Sequence, residues 1–150
     1  MNSSRLFEIP VILWGFGLNA VWEFAQSAFY VDHANGWRYV VWSRFHCTVG
    51  DVLILLGAFL VTAAISRSRR WPVDRGNAVA AVFIGVGLAY TIWSEWFNTT
   101  IRESWAYAAA MPLVFGVGLL PLLQWLAVPT LLIWILRRQP ARVSLKGNLE

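Results

Sequence analysis

Polar side chains within apolar stretches are the residues of this sequence best placed to do chemistry. Asn19, Glu23 and Gln26 lie in the first apolar run at spacings of four and three residues, so on a helix they share one face. A carboxylate inside a membrane costs several kcal/mol unless it finds a partner or water. This face is therefore predicted to point into the protein, where other helices complete a polar surface.

The later apolar runs carry comparable groups at ends that an alternating topology brings into the same half of the membrane. A histidine and an aspartate begin the second run, a glutamate and an asparagine end the third, and a tyrosine precedes the fourth. The opposite half of the membrane is predicted to contain few polar side chains, among them Gln124. The predicted ligand pocket consists of Asn19, Glu23, Gln26, His46, Asp51, Glu95, Asn98 and Tyr107.

Three kinds of chemistry are open to this pocket. Carboxylates and an imidazole are suitable ligands for a hard or borderline cation. A pair of carboxyl groups can instead do acid–base catalysis. Pairing with arginines of the outer loops would give the cluster a structural role. The candidate metal ligands are Glu23, His46, Asp51 and Glu95, and the candidate arginine partners are Arg38, Arg44 and Arg102.

Two of these residues have an equally good explanation without a site. His46 lies at a predicted helix start, where an interfacial histidine near water is common. Asp51 lies one turn into the same helix, where a carboxylate interacts favourably with the helix dipole.

The apolar runs define the elements that must position these groups. Of the 150 residues, 58% are hydrophobic and 13% are charged, about half the charge of an average soluble domain. Four runs are long enough to cross a bilayer as helices, at about 9–30, 46–66, 77–98 and 113–136. We therefore predict an all-α membrane protein of one domain, a bundle of four transmembrane helices. The first run carries Asn, Glu and Gln and no cleavage pattern, so it is predicted to be a helix and not a signal peptide.

The segments between the helices contain turn formers and interfacial aromatic residues. Val31–Arg44 is predicted to be an outer loop, part of it a short interfacial helix, because its tryptophans and tyrosine favour the membrane interface. Pro112 and Gly116 are predicted to separate a second interfacial stretch from the last helix. Pro121 and Pro129 are predicted to kink that helix.

The basic residues indicate the orientation. With four spans, both tails and the loop at residues 67–76 lie on one side, together with nine basic residues, against three on the other side. The positive-inside rule then places both termini in the cytoplasm and residues 137–150 in a basic cytoplasmic tail. The nine residues are Arg5, Arg67, Arg69, Arg70, Arg75, Arg137, Arg138, Arg142 and Lys146.

Composition and motifs exclude several classes of function. The net charge of +4 does not indicate nucleic-acid binding, because the basic residues lie at the ends of apolar runs. Cys47 is the single cysteine, which excludes an internal disulfide. Paired transmembrane histidines for a haem are absent, and so is a nucleotide-binding loop. A divalent metal is the cofactor that the residues leave open.

Several segments carry a resemblance to known proteins. They are Trp22–Gln26, Ser94–Asn98, Ser104–Tyr107, Met111–Pro112 and Pro121–Trp125. In these segments the chain resembles small uncharacterised multi-pass proteins of bacterial inner membranes, which implies that location but no activity. A weaker similarity is to sterol-isomerase-like membrane bundles, which implies that acidic residues and tryptophans can surround a membrane cavity.

Three hypotheses of function follow. The first is an outward-facing intramembrane pocket that binds a metal cation or a small polar or lipid-headed ligand, with catalysis left open. The second is an accessory or assembly subunit of a larger membrane complex, whose polar face contacts another subunit. The third is a transporter protomer that acts as an oligomer. Membrane lipids are partners under all three hypotheses, and other subunits or further copies of the chain under the last two.

Overall fold

The computed structural model describes residues 7–138, which are mostly helical, as predicted. This part of the chain contains four long helices and one short helix of four residues. The helices are α1 (Glu8–Gln26), α2 (Trp37–Ser66), α3 (Trp71–Asp74), α4 (Asn77–Trp96) and α5 (Leu119–Arg138). Arg137 and Arg138 end α5, and the remainder of the predicted basic tail lies outside the described residues.

Short irregular elements join the long helices. Two 3₁₀ helices, Ser27–Phe29 and Val31–Asn35, connect α1 to α2. A π-helical turn, Phe97–Ile101, continues α4. An antiparallel hairpin of β1 (Leu113–Val114) and β2 (Val117–Gly118) precedes α5, with Leu113 opposite Gly118 and Val114 opposite Val117.

Three of these helical segments are long and apolar enough to cross a membrane. They are Trp37–Ser66, Asn77–Ile101 and Leu119–Arg138. The first helix, α1, is not among them, since its asparagine, glutamate and glutamine lower its mean hydropathy. The described chain is thus compatible with an integral membrane protein.

The second helix begins nine residues earlier than predicted, at Trp37 and not at His46. The predicted outer loop, Val31–Arg44, is therefore wrong in its second half. No proline or glycine interrupts the chain between Gly36 and Gly50, so nothing stops the helix from extending upstream. Gly36, at φ 89°, supplies the left-handed backbone from which the helix starts. The first helix ends at Gln26, four residues before its predicted end.

The last helix begins at Leu119 and not at residue 113. The intervening residues form the hairpin, whose turn places Phe115 and Gly116 at positive φ. Pro121 lies in the first turn of α5, where a missing N–H costs little, whereas Pro129 lies inside the helix. The last helix is consequently six residues shorter at its start than the apolar run predicts.

The four long helices pack in a ring. Each of α1 and α4 contacts both α2 and α5. The apolar core fills the end of the ring that holds α3, where Trp71 is buried between Phe59 and Phe83 with ring centroids 5.7 and 5.1 Å away. The polar side chains of the predicted pocket lie toward the other end, because Glu23, Asp51 and Glu95 are all far from α3 along their helices.

Close packing of α4 against α5 depends on Gly87. A Cβ atom at this position would lie 2.0 Å from the Trp125 ring, and this ring is buried. The neighbouring Gly85 meets nothing within 4 Å. The two glycines therefore differ in what a methyl group would encounter, although they lie two residues apart on one helix.

Replacing Gly87 with alanine is expected to destabilise the fold, because the Trp125 ring must move to admit the methyl group. Overpacking of this kind costs about 1–3 kcal/mol. Gly85→Ala is the matched control and is expected to be neutral or stabilising by up to about 1 kcal/mol, as alanine is the better helix former. Thermal unfolding of the purified protein, followed by circular dichroism, compares them. Equal midpoints for the two variants would contradict the packing described.

Candidate functional site

A cavity of about 910 Å³ lies between α2 and α4, with its charged lining residues toward the end of the bundle away from α3. Helix α1 contributes Glu23 and Gln26 to its lining, and α5 contributes Gln124 and Trp125. Of the eight predicted pocket residues, six line the cavity. They are Glu23, Gln26, His46, Asp51, Glu95 and Asn98.

The side-chain amide of Gln124 connects three helices in the lining of the cavity. Its Nε2 donates to Asn19 Oδ1 at 2.9 Å and to Asp51 Oδ2 at 2.8 Å. Its Oε1 accepts from Gln26 Nε2 at 3.2 Å. We refer to Asn19, Glu23, Gln26, Asp51 and Gln124 as the polar network.

The polar stripe of α1 faces inward, as its spacing predicts. Asn19, Glu23 and Gln26 are each at most 4% exposed. Gln26 Nε2 also donates to Glu23 Oε1 at 2.6 Å, and Gln26 Oε1 accepts from Trp22 Nε1 at 3.1 Å. Asn19 Nδ2 donates to the carbonyl of Gly15 at 2.9 Å. The amides of this stripe therefore have both donor and acceptor partners.

Arg44 is the buried cation of the site. It is 3% exposed, and its Nη1 lies 3.7 Å from Glu23 Oε2. Its Nη2 donates to Asp32, which also accepts from Ser43 Oγ at 2.8 Å. The guanidinium carbon lies 5.0 Å from the centre of the Tyr30 ring. Arg44 thus joins α2 to α1 and to the segment that connects them.

Glu95, on α4, is bound by the segment that leads to α5. The Tyr107 hydroxyl donates to Glu95, and Trp105 Nε1 donates to Glu95 Oε2 at 3.4 Å. Backbone bonds fix this segment against the end of α1, from Val31 N to Ala106 O at 3.0 Å and from Ala108 N to Phe29 O at 2.9 Å. The carboxylate is therefore held at the mouth of the cavity.

Two tyrosines of the connecting segments stay protonated. Burial, followed by the nearby Glu95 carboxylate, raises the pKa of Tyr107 and of Tyr30 above the ordinary phenol value. Both phenols are consequently donors at neutral pH, which suits the bond from Tyr107 to Glu95.

The predicted metal site is not assembled. Within residues 7–138 no group of three or more His, Cys, Asp or Glu side chains is placed to hold a metal ion. Glu23 is occupied by Gln26 and Arg44, and His46 is exposed on the surface of α2. The prediction that Glu23, His46, Asp51 and Glu95 share one cation is therefore not supported.

The Asn98 side chain is bonded to the preceding turn of α4 and not to the polar network. Its Nδ2 donates to the carbonyl of Ser94 at 2.8 Å. Tyr107, by contrast, is half-buried and reaches the site only through its hydroxyl. Of the predicted set, the structure places Asn19, Glu23, Gln26 and Asp51 in one network, and Glu95 with Tyr107 in a second group.

Two residues that line the cavity, Gln124 and Arg44, are missing from the predicted pocket. Gln124 was assigned to the end of the bundle opposite the pocket because the last helix was predicted to start six residues too early. Arg44 was assigned to a loop, although it lies seven residues before Asp51 and on the same helical face. Arg44 was nevertheless one of the three candidate arginine partners, and its position beside Glu23 agrees with that alternative. A start of α2 at Gly36 would also have indicated its burial.

Comparisons with known proteins add nothing to what the fold and the site indicate. No family model, no curated protein and no solved structure matched the chain. What residues 7–138 define is a helical protein with three helices long and apolar enough to cross a membrane and a buried polar network beside a cavity.

Replacing Arg44 with methionine is expected to destabilise the protein, since Glu23 and Asp32 would lose their cation. Removing one partner of a buried ion pair costs about 3–5 kcal/mol. The exposed Arg38, on the same helix, provides the matched control Arg38→Met, which is expected to change stability by less than about 0.5 kcal/mol. Denaturant unfolding in detergent micelles measures both.

A double variant tests the pairing itself. Adding Glu23→Gln to Arg44→Met removes one of the two uncompensated charges and is expected to restore part of the lost stability. If the two substitutions are simply additive, Arg44 and Glu23 are not coupled.

Proposed function

We propose that this chain is an integral protein of a bacterial inner membrane, with four spanning helices, that binds a lipid-headed ligand in the cavity. The observation that carries the proposal is the division of the cavity lining into a polar end and an apolar end. A pocket divided in this way suits an amphipathic molecule better than a small polar solute.

The polar end lies near the mouth and offers hydrogen-bonding groups from all four long helices. Glu23 comes from α1, Asp51 from α2, Glu95 from α4 and Gln124 from α5. Bonds within the polar network fix the orientation of these groups before any ligand arrives. A headgroup bound here would meet a preorganised surface.

The apolar end runs down the bundle between α2 and α4. Leu53, Gly57 and Val61 contribute from α2, and Val86 and Tyr90 from α4. The lining of α2 extends from Tyr39 to Val61, about 33 Å at 1.5 Å per residue. Leu53 is 64% exposed, so the cavity is open on the side away from α1 and α5. An acyl chain could therefore enter from the surrounding lipid.

The surface of α1 supports a fourth span. Leu13 and Val21 on its outer side are 67% and 73% exposed, whereas its polar stripe is buried. Nineteen residues of helix cover about 28 Å, close to the thickness of the hydrocarbon core. A helix of this kind can cross a bilayer with its apolar side toward lipid.

The proposed orientation places the mouth of the cavity outside the cytoplasm, and labelling tests it. Single cysteines at Asn35 and at Ser68, in a Cys47→Ala background, report the two sides of the membrane. In intact cells an impermeant reagent is expected to label Asn35→Cys and not Ser68→Cys, because the positive-inside rule puts residues 67–76 in the cytoplasm. The reverse pattern would show that the orientation is inverted.

A matched pair of glycines tests ligand binding. Gly57 lines the cavity, whereas Gly17 is exposed on α1, and a Cβ atom at either position meets nothing within 4 Å. Gly57→Phe fills the apolar end and is expected to retain about tenfold less amphipathic ligand, equivalent to roughly 1.4 kcal/mol. Gly17→Phe is expected to retain as much as the parent. Native mass spectrometry of protein extracted from its own membranes gives both values.

The same extraction separates the proposal from its alternatives. Equal ligand in both glycine variants would contradict binding in the cavity. A protein partner at constant stoichiometry would favour an accessory subunit, and a defined oligomer that transports a solute would favour a transporter protomer.

A further inference from the structure

We infer that the headgroup is an organic ammonium, bound between Asp51 and Glu95; this rests on the proposed function and specifies its ligand. Four features of the cavity support an amine-headed amphiphile: the balance of charge, an unpartnered hydroxyl group, the aromatic lining and the poor fit of the other headgroups.

The charges that line the cavity do not balance. Four carboxyl side chains face two arginines. Arg44 lies against Glu23 and Asp32, and Arg102 is exposed. Among the residues that the structure describes, neither Asp51 nor Glu95 has a basic side chain within 4.0 Å. These two carboxyl groups therefore remain available to a cation from outside the chain.

An unpartnered hydroxyl marks the place where a headgroup would sit. Thr91 is 6% exposed and lines the cavity, and its Oγ1 has no hydrogen-bond partner within residues 7–138. It lies four residues before Glu95 on α4, so both side chains lie on one face. Buried hydroxyl groups are usually hydrogen-bonded. An ammonium N–H can donate to Thr91 Oγ1 and to the carboxylate one turn away.

Aromatic rings complete the lining beside these acceptors. Tyr90, Trp105 and Trp125 line the same cavity. The faces of such rings attract ammonium groups, and the Arg44 guanidinium over the Tyr30 ring shows that a cation is already accommodated in this way.

Other headgroups fit less well. A phosphate or carboxylate would face Asp51 and Glu95 with like charge, while Arg44, the buried cation of the lining, already lies against two carboxylates. A metal ion would need a group of three ligands that the described residues do not form. A hydroxyl headgroup could hydrogen-bond here but would leave the carboxylates without a counter-charge.

The test uses terminally brominated alkyl chains of one length that end in an ammonium, a hydroxyl or a carboxylate group. Each probe is titrated into the full-length protein in lipid nanodiscs, and bromine quenching of tryptophan fluorescence reports saturable binding. The ammonium probe is expected to bind at least about tenfold more tightly than the hydroxyl probe, and the carboxylate probe most weakly.

Conservative variants connect the preference to the two carboxyl groups. Asp51→Asn and Glu95→Gln keep size and hydrogen bonding, and each is expected to weaken the ammonium probe about tenfold while leaving the hydroxyl probe unchanged. Thr91→Val is expected to weaken the ammonium probe as well. Asp74→Asn, on α3 and outside the cavity, is the control and is expected to bind like the parent.

The outcomes distinguish the two levels of the proposal. If the hydroxyl or carboxylate probe binds as tightly as the ammonium probe, or if Asp51→Asn and Glu95→Gln leave the preference intact, the ammonium inference is wrong while amphiphile binding stands. If no probe quenches saturably, or if Gly57→Phe leaves the quenching by every probe unchanged, both are wrong.

Discussion

A single primary amide fixes the polar end of this bundle. Gln124 lies on α5 and brings two donors and one acceptor, with which it bonds to Asn19 and Gln26 of α1 and to Asp51 of α2. In apolar surroundings each of these groups would be costly to leave unpaired. The three helices must therefore keep their mutual register, and the cavity beside them keeps its shape. Asp51 takes its position from this register, whereas Glu95, on α4, is held by Tyr107 and Trp105.

The sequence predicts the part of the site that depends on one helix alone. The spacing of Asn19, Glu23 and Gln26 is a property of a single amphipathic helix, and the cost of a carboxylate in lipid gives the direction in which that face points. The helical class and three of the long apolar helices follow from composition in the same way. The residues that contact this face on other helices cannot be predicted in the same way. They depend on how far other helices extend, and periodicity says little about where an apolar helix begins.

The errors arise from two helix starts. Trp37 begins α2 because nothing after Gly36 interrupts it, although the aromatic residues there are typical of an interfacial loop. Leu119 begins α5 because positive φ values at Phe115 and Gly116 allow a hairpin that composition does not indicate. Each difference in a helix start changes the position of one polar residue along the bundle. Arg44 becomes a buried partner of Glu23, and Gln124 moves to the polar end of the bundle.

The contacts of Gln124 impose an order on assembly. In the proposed four-span topology, insertion from the first helix to the last brings in α1 and α2, which the ion pair between Arg44 and Glu23 joins, before α5. Asp51 and Asn19, in contrast, receive the amide that satisfies them only when α5 arrives, more than seventy residues of chain later for Asp51. Until then the Asn19 side-chain oxygen and the Asp51 carboxyl group lack the donor that Gln124 provides in the folded protein. The final helix thus completes the fold and ends the time during which the half-built bundle must be kept from lipid.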